Sequence, residues 1–88
     1  MLTEQVGSII RARREELGLS LKQVFDVIRI RPEYLQTVED GDPDGVLPDV
    51  YHKGYIRLYG NYLGLDGPAL VRMYVESKEQ RNRVARVK

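Results

Sequence analysis

The chain of 88 residues has no cysteine, and its only histidine is His52. Thiol nucleophiles, disulfide staples and redox switches are thereby excluded, and one histidine without cysteine does not make the usual zinc-ligand spacings. A Ser/His/Asp set and a glycine-rich phosphate loop are missing too. The acidic pair Asp42 and Asp44 falls in an apparently exposed turn, a poor setting for paired-carboxylate catalysis. No apolar run approaches the roughly 18 residues of a membrane span, and the N-terminus has no apolar stretch of signal-peptide type. The expectation is a soluble chain with no catalysis, cofactor or metal.

Apolar residues make up 42% of the sequence, enough for one core in one domain. A formal net charge of +1 is too balanced to indicate a nucleic-acid partner by itself, but the charge is unevenly distributed. Residues 1–31 carry six Lys/Arg and four Asp/Glu, 32–50 carry six Asp/Glu and no Lys/Arg, and 51–88 carry eight Lys/Arg against three Asp/Glu. An acidic middle thus separates two basic flanks.

Apolar spacing predicts five helices. Val6, Ile9, Ile10 and Leu17 recur at helical intervals after Thr3, a residue suited to cap a helix, and Gly18 ends the segment. Ser20 and Gln23 have capping-box spacing, with Leu21, Val24, Phe25 and Ile28 on one face of the second helix. Pro32 opens a third helix that carries Tyr34, Leu35 and Val38 and stops at Gly41. Asp42-Pro43-Asp44-Gly45 matches a type I turn. A fourth helix is predicted from Asp49 to Leu63, ended by Gly64, and a fifth is capped by Asp66 with Leu70, Met73 and Tyr74 inward. The domain is expected to occupy residues 1–75, leaving 76–88 as a basic tail, either a frayed helix or a linker.

Two short helices beneath a longer first one form the arrangement that places a recognition helix in a major groove. The stretch from Arg14 to Gly41, R-x-x-L-G-L-S-L-x-x-V followed by I-x-P-x-Y-L-x-x-V-E-x-G, resembles the lambda-repressor-like helix-turn-helix family. The resemblance implies an all-α, five-helix domain in which Arg14 pairs with Glu39. Phe25 departs from the alanine usual there. In DNA-binding members the reading positions match Leu21, Lys22, Pro32, Glu33, Gln36 and Thr37, of which Lys22, Gln36 and Thr37 suit DNA chemically. Arg29 and Arg31 flank the third helix and suit backbone phosphates. Against them stand Glu33, Glu39, Asp40, Asp42, Asp44 and Asp49, which add negative potential where a DNA binder needs positive charge. DNA is therefore not expected to be the principal ligand.

The fourth helix carries more apolar surface than one core requires. Ile56, Tyr59 and Leu63 point one way, while Tyr51, Tyr55, Leu58 and Tyr62 point about a quarter-turn or more away. Tyr51 and Tyr55 are one turn apart, with Lys53 and Arg57 on the adjoining polar flank, a pattern of protein-binding hot spots; tyrosines half-sunk in a core with wet hydroxyls give the same spacing. The run V-Y-H-K-G-Y-I-R-L-Y-G-N-Y-L-G-L-D after an acidic loop resembles the cytoplasmic N-terminal domains of the RodZ family, and the likeness extends over nearly all of residues 3–75. It implies a bacterial cell-shape protein that binds the actin-like filament protein MreB through Tyr51 and Tyr55, supplemented by Lys53 and Arg57. It further implies a position at the inner face of the cell membrane, with the basic tail preceding a span that this sequence does not include. His52 is expected to be structural.

Overall fold

The computed structural model describes residues 2–86, with side-chain surroundings for 5–79. Five helices follow one another, and no strand occurs among the described residues: α1 Leu2–Glu16, α2 Leu21–Ile28, α3 Pro32–Asp40, α4 Asp49–Tyr62 and α5 Gly67–Arg86. The expected all-α helix-turn-helix architecture is what the chain forms. Helix α1 begins ahead of Thr3, which lies within the first turn with its side chain outside the described set. Helix α5 runs on past residue 76 to Arg86.

Local chemistry sets the boundaries. The Ser20 hydroxyl accepts the Gln23 amide at 3.1 Å and the Gln23 side chain accepts the Ser20 amide at 2.8 Å, a complete capping box at the start of α2. Arg29 ends α2 in the left-handed region, φ 62°, and turns the chain into α3 within three residues. Asp42 holds the α3–α4 loop: its carbonyl accepts the Gly45 amide at 3.0 Å, and its carboxylate accepts the amides of Val46 at 2.7 Å and Leu47 at 2.9 Å. The Asp66 carboxylate caps α5 by accepting the Ala69 amide at 3.1 Å.

The core is built from every helix: Val6 and Ile10 of α1, Val24 of α2, Leu35 and Val38 of α3, Ile56 and Tyr59 of α4, and Leu70 and Tyr74 of α5, with Ile30 and Leu63 from the joints. Two residues expected inward are exposed. Ile9 lies about 60° around the helix from Val6, on the side away from Ile10, and Leu17 falls past the last helical turn, so neither reaches the core. The buried face of α1 is instead continued by Gly7 and two arginines. A Cβ on Gly7 would lie 2.3 Å from the carbonyl oxygen of Glu39, so α1 and the end of α3 touch backbone to backbone. That contact sets Arg11 and Arg14 directly above Glu39.

Candidate functional site

Helix α4 divides into two unlike halves. At about 100° per residue, Tyr59, His52 and Ile56, extended by Leu63, fall in one narrow arc, and all are buried. Lys53, Arg57, Val50, Gly54, Leu58, Tyr51 and Tyr55 follow one another around the remaining arc of about 200°, and none is buried. Tyr51 is 57% exposed and Leu58 47%, for side chains that usually seek cover. The fourth helix therefore packs into the domain with less than half of its circumference.

Within the open arc the tyrosines are ordered rather than splayed. Tyr55 stacks on Tyr34 of α3, with ring centroids 6.0 Å apart and planes at 23°, and Tyr51 stands over Tyr55 at 6.3 Å. Offset aromatic contacts at these separations hold rings in place with little entropy left to lose. The ladder runs from half-buried Tyr34 and Tyr55 out to exposed Tyr51. Tyr34 escaped the sequence argument as a member of this group because its partner lies on another helix. Lys53 pairs with Asp49 at 3.2 Å one turn earlier, whereas the Arg57 guanidinium has no ion pair among the described residues.

On the inner half no buried side-chain polar atom among the described residues lacks a hydrogen-bond partner. Glu39 is fully sequestered, and its carboxylate accepts Arg14 Nε at 2.7 Å, Arg14 Nη2 at 3.1 Å, Arg11 Nε at 3.1 Å and the Tyr59 hydroxyl. Burial alone would raise this carboxyl; the hydrogen bonds from Arg14, Tyr59 and Arg11 outweigh it and hold Glu39 below the ordinary range. The Tyr59 phenol is pushed well above its ordinary value by burial and by the anion it donates to. Arg14 also donates to the Leu19 carbonyl at 2.8 Å, and Arg11 to Asp40. Sequence spacing pointed to Arg14 and Glu39; Arg11 and Tyr59 complete the network, and Arg11, one turn before Arg14, was the available clue.

A second cluster ties α4 to α5. The Tyr74 hydroxyl donates to Asp49 at 2.7 Å and Lys78 reaches the same carboxylate at 3.1 Å, lowering Asp49 to about 2, with the Tyr74 hydrogen bond foremost. His52 packs against the Tyr74 ring at 4.5 Å with Nδ1 4.0 Å from Asp42, and burial lowers its pKa.

The positions suited to DNA are differently disposed. Lys22, Arg29 and Arg31 are exposed, with Arg29 lying over the Phe25 ring at 5.6 Å. On α3 the Thr37 hydroxyl donates to the Glu33 carbonyl at 2.8 Å, and the Gln36 amide faces both oxygens of Asp40 at 3.4 Å. Both polar groups of the recognition helix are thus turned to partners on their own helix, beside two carboxylates.

Residues 9–70 match the family described as a helix-turn-helix domain, and the chain belongs to that family. An uncharacterized protein of Haemophilus influenzae is 40% identical over 67 residues, 72% of this chain, and the chain spans only 22% of that relative's length. No solved structure matches. Among the described residues no helix is long and apolar enough to cross a membrane.

Proposed function

We propose that this helix-turn-helix domain is a protein-docking adaptor of the RodZ kind, which binds an MreB-like actin filament protein through α4 and catalyses nothing. The observation that carries the reading is the open arc of α4, where a stacked Tyr34–Tyr55–Tyr51 ladder ends in an exposed ring beside exposed Leu58. Ordered aromatics at the centre of an apolar patch, bordered by cations, are the usual anchors of a protein interface. Lys53 and Arg57 close the far end of the same open arc, past Leu58, Gly54 and Val50, and favour an acidic partner. In this reading the membrane link lies outside residues 1–88, with the basic segment of α5 on the cytoplasmic side of it. Co-sedimentation of the domain with MreB filaments tests it: Tyr51→Ala with Tyr55→Ala removes binding, and full retention would remove α4 from the interface.

A second reading, DNA binding through α3, is favoured by the family and by exposed Arg29 and Arg31 at the α2–α3 turn. It is disfavoured by the self-satisfied Gln36 and Thr37 and by the carboxylates beside them. Micromolar or tighter binding to duplex DNA at physiological ionic strength, with a steep salt dependence, would establish it over the first.

A further inference from the structure

Beside the tyrosine ladder, on the flank of α4 that faces α5, lies an open groove of about 430 Å³ lined by Val50, Lys53, Gly54, Arg57, Pro68 and Val71. Its apolar part is Val50, 71% exposed, with Pro68 and Val71 of α5, and its rim carries the two cations. The floor contains a glycine that the fold itself does not require. A Cβ on Gly7 would strike the Glu39 carbonyl, one on Gly60 would come within 2.7 Å of Leu70 Cδ1, and one on Gly67 within 2.5 Å of the Arg57 carbonyl oxygen; on Gly54 it would meet no atom within 4 Å. Gly54 is mid-helix and has no positive φ, so alanine would fit and would favour the helix. A helix that keeps glycine at such a point, on the floor of an apolar groove, leaves room for something from outside to approach its backbone closely.

We infer that the α4–α5 groove is a docking site for an acidic protein segment, which seats an apolar side chain against Gly54 between Val50 and Val71 and places carboxylates on Lys53 and Arg57. Charge complementarity selects this occupant. Arg57 has no ion pair among the described residues, and Lys53 already leans toward a carboxylate, Asp49, on its own helix. The inference deepens the docking role proposed for α4 and rests on it in taking the partner to be a protein. It adds that α5 forms one wall of the interface, so the partner grips two helices rather than one.

The test titrates the isotope-labelled domain with a short acetylated peptide, Glu-Glu-Leu-Glu-Glu-Leu-Glu, and with its counterpart bearing Lys for every Glu. Saturable amide shifts at Gly54, Arg57 and Val71 with the acidic peptide alone are expected. Gly54→Leu, which fills the groove, and Arg57→Glu each weaken binding tenfold or more. Gly54→Ala raises the melting temperature by about 4–8 °C while weakening binding, a pairing that a merely structural glycine does not give. Absence of saturable shifts, equal response to the Lys peptide, or undiminished affinity in folded Gly54→Leu each overturns the inference. Filament co-sedimentation separates the two readings. Loss with Tyr51→Ala and full retention with Gly54→Leu sinks the groove and leaves the tyrosine site standing; peptide binding by a domain that never sediments with filaments does the opposite.

Discussion

The two halves of α4 use the same residue type for opposite ends. Tyr59 is buried and spends its hydroxyl on Glu39, inside a network that also takes Arg11 and Arg14. Tyr51, two turns earlier and about a quarter-turn around the helix, is more than half exposed and leans on another tyrosine ring. In the first region no buried side-chain polar atom among the described residues lacks a hydrogen-bond partner, so the chemistry is spent on holding α1, α3 and α4 together. In the second, apolar surface and a cation with no ion pair among the described residues remain open to solvent. A closed set of partners marks the scaffold, and the open one is the surface proposed above for docking.

Breaking the closed half costs most. Glu39→Ala strands the Arg14 guanidinium and the buried Tyr59 phenol, while Arg11, more than a third exposed, keeps Asp40 and water, and the expected loss is about 3 kcal/mol by chemical denaturation. A loss under about 1 kcal/mol would show the network to be incidental. Gly7→Ala forces α1 away from the α3 carbonyls and is expected to cost about 1–3 kcal/mol through overpacking, again read by denaturation.

The His52 contact gives a smaller, pH-dependent effect. Its pKa is lower folded than unfolded, so the unfolded chain binds the extra proton as pH falls below about 6.5, and stability declines from there downward. Asp49 acts later, because a folded carboxyl at about 2 keeps its stabilisation above the unfolded value near 4 and loses it between the two. Melting temperatures between pH 7.5 and 5 check the first limb, which is absent in His52→Gln. At the small end, Tyr51→Ala changes stability by no more than about 0.5 kcal/mol, since its ring is 57% exposed.

Most of the fold was legible because its signals are local. Ser20 with Gln23, Pro32, Gly41, the Asp42–Gly45 turn and Asp66 mark boundaries through hydrogen bonds between near neighbours in sequence. The partition of α4 was legible from periodicity, which separates Ile56 and Tyr59 from Tyr51 and Leu58 without knowledge of the neighbours. What periodicity does not supply is the identity of those neighbours. Tyr34 joins the ladder and Tyr59 joins Glu39 across distances of 20 or 21 positions, through the angle at which α3 crosses α4. The groove wall from Pro68 and Val71 was invisible for the same reason. Ile9 and Leu17 misled because a helical stripe was read as wider and longer than the face that α3 and α5 cover.

The central proposal is that the open arc of α4 is a docking surface whose outermost ring, Tyr51, adds little to the fold. Co-sedimentation of the Tyr51→Ala single variant with MreB filaments, alongside its melting curve, tests it most directly. The account predicts an unchanged melting temperature with binding weakened about 30-fold or more, the scale of a hot-spot aromatic. Undiminished filament binding by a fully folded Tyr51→Ala domain would contradict it.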